Sequence, residues 1–423
     1  MLARFRYLLG FWRFHRVHMR SRKAIERFQE GQLRLLMPYL VHHIPFYRAM
    51  LERRDIDVAD IRTLRDIPRL PVTSKKTFIG LSSQEYTDSG NPIRGTWVTT
   101  SGSTGEPFIW LRREEVSLPY YGDSLHYRFL MRERPWLLHV NWAKVAHIRV
   151  LDRHRENHIN VPQSLLLNDP QEALRRLIEF APDVIDTHAS MVHELARAVT
   201  RLESPFRVRY VVAGSEPLLP QQRSLVETAL ACEVFDRYGL EETGTIAMEC
   251  SEHHGLHVNG ESFVIEILDE HDSPLSDGEY GRVIVTDLFS RQMPIVRYDT
   301  GDRGQIIRGR CACGLETPRL FMHGRYSASL TVDGRRIHQF EFGVQMDEFM
   351  NAILLYQIAK RSERDLLIRV IPGASYSDHI RTAIGHKIAD LVGEHVAVDV
   401  ETVAAIYRVP RGKSRMLIDE SHH

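Results

Sequence analysis

The chain has 423 residues, 43% of them apolar and 26% charged, which is enough for about two to three domains with a sizeable buried core. Disorder and a small disulfide-stapled scaffold are excluded. Fifty-five Lys and Arg balance fifty-five Asp and Glu, so the formal net charge is zero and no strong field draws in nucleic acid. Four cysteines, Cys232, Cys250, Cys311 and Cys313, are too few for a secreted framework of this length. They point to a reducing compartment, the cytoplasm, or to a bound metal.

The first thirty residues carry eight Lys and Arg against Glu26 and Glu30, with Phe5, Leu8, Trp12 and Met19 at helical spacing. Such a helix either docks its apolar stripe on the body or makes peripheral contact with an anionic membrane surface. No apolar run approaches the ~20 residues that span a bilayer, so a soluble chain is expected. Helices are expected over Ile25 to Tyr47, Leu125 to Arg132, Ala173 to Phe180 and Ser190 to Leu202, interleaved with short buried strands at Pro182 to Asp186 and Val208 to Gly214. That rhythm is α/β.

After residue 255 the period changes to two, in Phe263 to Leu268 and Arg282 to Thr286, separated by turns such as Ser276-Asp277-Gly278. A β-rich module is expected there, at about 245–323. Beyond Gly324-Arg325, short strands and a helix near Ser377 to Leu391 predict a small α+β domain, with the boundary at 325.

Chemistry concentrates in a few segments. Thr99-Thr100-Ser101-Gly102-Ser103-Thr104-Gly105 interleaves five hydroxyl residues with two glycines, a loop whose hydroxyls and N–H groups can wrap phosphate oxygens. No Walker-type G-x-x-x-x-G-K-[ST] occurs. Then follow Gly214-Ser215-Glu216-Pro217, Tyr238-Gly239-Leu240-Glu241-Glu242, Arg297-Tyr298-Asp299-Thr300-Gly301-Asp302, Gly324-Arg325 and Arg411-Gly412-Lys413-Ser414-Arg415.

This set, in this order, resembles the adenylate-forming superfamily of acyl-CoA ligases. More narrowly it resembles the phenylacetate-CoA ligase branch with its capsule-biosynthesis relatives, over nearly the whole chain from Ile44-Pro45-Phe46 to Lys413. The resemblance implies an α/β fold with a large N-terminal domain, 1–325, that binds ATP and the acid, and a small mobile domain, 326–423, that carries Lys413.

It also implies roles. The loop of Thr100, Ser101, Gly102, Ser103, Thr104 and Gly105 would hold the ATP phosphates, and Glu242 the Mg²⁺ that neutralises pyrophosphate. Gly214, Ser215, Glu216, Tyr238 and Gly239 would line the nucleotide, with Tyr238 stacked on adenine. Asp302 would accept from the ribose hydroxyls with help from Arg325. Lys413 would act as a point charge on the carboxylate and α-phosphate.

The expected partners are a carboxylic acid, aryl or arylacetic, with ATP and CoA; a homodimer and a monomer are both compatible with the sequence. Two departures from the family pattern stand out. Tyr326-Ser327-Ala328-Ser329 follows the hinge pair where relatives carry an acidic residue or lysine, and Glu241 stands where many have threonine. The altered hinge and the unusual stretch Leu138 to His147 keep a second reading open, transfer of the acyl or adenylyl group to a hydroxyl or amine. A third reading is an inactive scaffold, which has no need for Glu242, Asp302, Arg325 and Lys413 together. Tyr121, Trp142, His188 and Ala213 to Ser215 fall where pocket walls are expected.

Cys250, His257, Cys311 and Cys313 form a candidate Cys₃His set for a structural Zn²⁺, with His253 and His254 as competing ligands. Cys232 reads as a small core residue.

Overall fold

A computed structural model describes residues 21–91, 95–99, 109–113, 144–149, 158–216, 218–325, 329–406 and 416–421. Helix α1 (Arg22–His43) buries Ile25, Leu33, Leu36, Met37 and Leu40 on one stripe. The single helix expected to Tyr47 is broken at Ile44, which is extended at φ −116° because Pro45 disfavours the helical region for the residue before it. Pro45 then opens α2 (Pro45–Glu52), where its missing N–H costs nothing.

Next come β1 (Thr73–Ser74), the single turns α3 (Lys75–Phe78) and α4 (Ser83–Tyr86), and an antiparallel pair, β2 (Gly95–Thr99) with β3 (Ile109–Arg113). The α/β segment comprises β4 (Val145–Arg149), β5 (His158–Pro162), α5 (Gln163–Asn168), α6 (Pro170–Phe180), β6 (Val184–His188), α7 (Ala189–Arg201), β7 (Tyr210–Gly214) and α8 (Pro220–Leu230). Six antiparallel or short strands follow: β8 (Glu233–Leu240), β9 (Gly244–Glu249), β10 (Leu256–Val258), β11 (Phe263–Leu268), β12 (Gly281–Asp287) and β13 (Tyr298–Ile307). The remainder is β14 (Arg319–Arg325), β15 (Ser329–Val332), β16 (Arg335–His338), α9 (Gln339–Met346), β17 (Ile353–Ser362), β18 (Asp365–Pro372), α10 (Asp378–Val392), β19 (Ala397–Thr402) and β20 (Leu417–Asp419).

The chain forms two compact units, Met1–Leu138 with Arg237–Met322, and His139–Asp236 with His323–His423. In the first, strands run in the order β11-β12-β13-β14-β10-β9-β8, and β1 pairs parallel with β13. Alternation along β11, buried at Phe263, Ile265 and Ile267, supplies one face of its core with Ile246, Val283, Val285 and Leu320.

In the second unit β5-β4-β6-β7 are parallel neighbours. Ala146, Ile148, Val161, Ile185, Val211 and Ala213 pack one face of this sheet against helices α5 to α8. The alternate positions, His147, Arg149, Asn160, Asp186 and His188, lie on the opposite face. A separate core runs from Leu330 to Leu417, where β19-β18-β17-β20 is covered by α9 and α10.

The expected strand Phe263 to Leu268 coincides with β11, and the expected terminal helix lies within one residue of α10, whose N-cap Ser377 accepts from the Ile380 N–H. The strand expected from Pro182 starts only at Val184, and Pro182 has no ladder donor to contribute. The helix expected over Leu125 to Arg132 and the basic stripe of residues 4–20 fall outside the described residues. No helix among the described residues is long and apolar enough to cross a membrane.

Candidate active site and metal centre

Glu241 and Glu242 sit at the tip of the β8–β9 hairpin, a three-residue turn closed by Gly244 at φ +75°. The hairpin narrows through a register shift between Tyr238 and Gly239. There the approach is so close that a Cβ on Gly239 would meet the Gly244 carbonyl oxygen at 2.4 Å. Only glycine fits at 239. The turn leaves Glu241 exposed and Glu242 half-buried, so it is the Glu241 carboxylate that faces water.

The two tyrosines beside this tip both donate to carboxylates. The Tyr238 hydroxyl donates to Asp302 Oδ2 at 2.8 Å, and the Tyr298 hydroxyl donates to Glu242 Oε1 at 3.3 Å. Tyr298 is buried against Trp110 and Phe78. That burial, reinforced by the negative charge of Glu242, Asp299 and Asp302, holds its phenol well above the ordinary value, so it remains a donor.

Asp302 owes its position to an irregularity in β13. Asp299 pairs with Ile284 while Arg303 pairs with Arg282, so three residues of β13 face one of β12. Within the bulge the Gly301 N–H donates to Asp299 Oδ1 at 2.9 Å and the Asp302 N–H to Thr300 Oγ1 at 3.1 Å. Asp302 is left buried with one carboxylate oxygen on Tyr238.

Just before the strand, Arg297 is a fully buried cation in the left-handed region at φ +45°. Its Nε donates to Glu266 Oε2 at 3.0 Å and its Nη1 to the Pro68 carbonyl at 3.0 Å and to the Leu70 carbonyl. Its own carbonyl accepts from the Thr73 N–H at 2.9 Å. The arginine of this motif therefore ties β13 to the 68–73 segment, a structural use that its sequence neighbours did not signal.

In the second unit, Gly214 ends β7 and Ser215 follows at φ +67°. Glu216 Oε2 accepts from the Ser190 N–H at 2.9 Å and so caps the first turn of α7. Gly324 and Arg325 are the last residues of β14. Thr100, Ser101, Gly102, Ser103, Thr104, Gly105, Lys413, Tyr121 and Trp142 lie outside the described residues.

Cys250, His257, Cys311 and Cys313 converge, with all four ligand atoms within 4.8 Å of one another. Cys250 Sγ and Cys311 Sγ are 3.9 Å apart, and Cys313 Sγ is 3.5 Å from His257 Nε2. A tetrahedral Zn²⁺ with Zn–S of about 2.3 Å and Zn–N of about 2.0 Å sets its ligands roughly 3.5–3.8 Å apart, so the set fits that ion. The other ring nitrogen, His257 Nδ1, is 2.7 Å from Thr317 Oγ1, which orients Nε2 toward the sulfurs. Burial pushes the Cys250 thiol up to about 12, so its thiolate needs a cation beside it. His253 turns instead to Glu249, and His254 to Arg319.

No family model matches the chain. Over 94% of its length it is 26% identical to the phenylacetate-coenzyme A ligase of Thermus thermophilus, of which it covers 97%. The phenylacetate-coenzyme A ligase of Escherichia coli is 25% identical over 79% of this chain and 78% of that protein. Among solved structures, 2-hydroxyisobutyryl-CoA ligase in the postadenylation state with 2-HIB-AMP matches at a TM-score of 0.76 and 18% identity, over 96% of this chain and 92% of that one. The same ligase with R3-HIB-AMP matches at 0.75. At that identity the shared feature is the mixed α/β fold.

Proposed function

We propose that this chain, a member of the adenylate-forming acid-CoA ligases on the phenylacetate-CoA ligase branch, activates an aryl or arylacetic acid as its acyl-adenylate and passes the acyl group to CoA. The observation that carries the reading is the pair of carboxylates at the β8–β9 tip and the β13 bulge, Glu242 and Asp302, each held by a tyrosine hydroxyl.

In the first half-reaction a carboxylate oxygen attacks the α-phosphorus of ATP, an O–P bond forms and pyrophosphate leaves. Asp302 accepts from the ribose hydroxyls. Tyr238 presents its ring to the adenine while its hydroxyl stays on Asp302. Glu242 would hold magnesium, which would supply positive charge against the leaving pyrophosphate. The loop of Thr100 to Gly105 wraps the phosphates, and Lys413 places a positive charge on the reacting oxygens. In the second half-reaction the CoA sulfur attacks the acyl carbonyl and AMP leaves.

Several further assignments belong to the same reading. Residues 1–325 form the large domain and 326–423 the small mobile one. Cys250, His257, Cys311 and Cys313 hold a structural zinc. The protein works in the cytoplasm, where ATP and CoA are at hand. The run Tyr326-Ser327-Ala328-Ser329 favours, as a second reading, an acceptor other than CoA.

Pyrophosphate release with ATP and magnesium, across a panel of acids with and without CoA, tests the proposal. Acid-dependent release accelerated by CoA, with a thioester product, is the expected result. Release indifferent to CoA moves the chain to the second reading. Lys413→Ala is expected to abolish acid-dependent release and to leave ATP binding in place, because a charge acting on the transition state contributes little to ground-state binding. Undiminished release from that variant overturns the assignment.

A further inference from the structure

Helix α1, in the first unit, is held in two different ways along its length. Its later turns rest on apolar packing: Leu33, Leu36, Met37 and Leu40 are buried in one core with Leu51, Ile61, Ile67 and Leu288. Packing of an amphipathic face on that scale holds a helix without depending on any single contact.

The first two turns are seated by polar groups. The Arg22 N–H donates to Glu316 Oε2 at 2.9 Å. The buried Gln29 amide donates from Nε2 to the Gly260 carbonyl at 2.7 Å and to the Phe263 carbonyl at 3.0 Å. Between them Ile25 lies against Gly260, where a Cβ would meet Ile25 Cγ2 at 3.1 Å. A cavity of about 70 Å³, lined by Ile25, Gln29, Val258, Phe263, Glu316 and Pro318, lies between these turns and the sheet. A few hydrogen bonds therefore decide whether residues 22–29 stay down.

All three acceptors belong to the two segments that the candidate metal ligands join. Gly260 and Phe263 follow His257, and Glu316 follows Cys311 and Cys313. The ladder between these segments is short. Strand β10 is three residues long and pairs with β14 at two positions, Leu256 with Leu320 and His257 with Arg319. Beyond it the Val258 N–H donates to the Pro318 carbonyl at 2.9 Å, while the Cys311 N–H turns back to the Leu315 carbonyl at 2.9 Å. A zinc bound by Cys250, His257, Cys311 and Cys313 would add the cross-link that so short a ladder lacks. His257 extends it, because its Nδ1 lies 2.7 Å from Oγ1 of Thr317, the residue next to Glu316.

We propose that the Cys₃His centre is a metal-dependent clamp on the start of α1. With the ion bound, residues 22–29 are seated; on its loss they lift from the sheet while residues 33–40 stay on their core. The inference rests on the zinc assignment above and is independent of the ligase reading.

Amide hydrogen exchange of the full chain tests it, read by mass spectrometry on peptides covering 22–32 and 33–43, in protein loaded with zinc chloride and in the same protein stripped with a chelator. Stripping is expected to speed exchange in 22–32 at least about tenfold and to leave 33–43 unchanged, because the loss of a few hydrogen bonds opens a helix locally. Glu316→Ala and Gln29→Met, each loaded with zinc, are expected to give the same local acceleration while still carrying one zinc per chain. Exchange in 22–32 that ignores stripping, acceleration that extends equally to 33–43, or full protection of 22–32 in both variants overturns the inference while bound zinc upholds the metal assignment. A chain that takes up no zinc overturns both.

Discussion

The Tyr298 hydroxyl has one acceptor, Glu242, and a buried ring that keeps it protonated over the working pH range. Its contribution is to help aim the Glu242 carboxylate at the end of the hairpin. Removing a hydrogen bond to a charged group costs about 1.5–3 kcal/mol. Tyr298→Phe is therefore expected to slow acid-dependent pyrophosphate release roughly tenfold to a hundredfold and to raise the magnesium concentration for half activity, with the KM for the acid unchanged. An unaltered magnesium dependence would refute the bracing role.

Residue by residue, legibility was uneven. Glu242 and Asp302 were named from their motifs, and the structure places both beside Tyr298. The tyrosine itself stands next to Asp299 in the motif, but its acceptor is 56 residues away, a distance over which sequence spacing says nothing. Glu216 was grouped with the nucleotide residues, while its visible contact is the cap it gives to α7. A capping acceptor from another loop leaves no local pattern.

Elements were more legible than their joints. The strands β11 and β7 and the helix α10 follow from period and capping, because those signals are local. The break at Ile44 was missed although Pro45 announces it, because the apolar period runs through it unbroken.

Beyond the break, the segment leading to β2 is pinned by a network that no spacing rule reveals. Asp88 accepts from Tyr39, from Asn91 Nδ2 at 2.8 Å and from the Gly90 N–H at 2.8 Å, with His43 at 3.3 Å. Burial alone would raise the Asp88 carboxyl, but these donors outweigh it and hold the group below its ordinary 3.8. A carboxyl with a depressed folded-state pKa contributes stability above its unfolded pKa and loses it as pH falls through the folded value. Asp88→Asn is therefore expected to destabilise the protein by about 1–3 kcal/mol at neutral pH. The gap to wild type in urea unfolding should persist down to about pH 4 and close only below it. A gap that closes already between pH 7 and 5 would assign the effect to another group.

At the scale of the whole molecule, the chain passes between its two units at 138, 236 and 322, so neither unit is a single stretch of sequence. The sequence reading placed one boundary, at 325, where composition shifts. The crossings at 138 and 236 carry no such shift, and the second falls inside strand β8. Within the first unit the Cys₃His cluster joins the β9–β10 region to the segment after β13. Purified without chelator, the protein is expected to carry one zinc per chain. Stripping it, or Cys250→Ser, should lower the melting temperature, because metal binding to a site absent from the unfolded chain stabilises the folded state. Metal analysis showing no zinc, or a melting temperature indifferent to chelation, would overturn the assignment.

The spacing of those ligands has a further consequence for how the protein is made. Cys250 and Cys311 are 61 residues apart, and the intervening chain contains β11, β12 and β13. During synthesis Cys250 and His257 leave the ribosome as an incomplete pair, seconds before their partners at about 5–20 residues per second. Until Cys311 and Cys313 emerge the nascent chain can offer a metal only two of its four ligands. By then β13, with Asp302 on it, has already been made and only β14 of this sheet is still to come, so capture of a metal by all four ligands would be a late step, taken just before β14 slots in between β13 and β10.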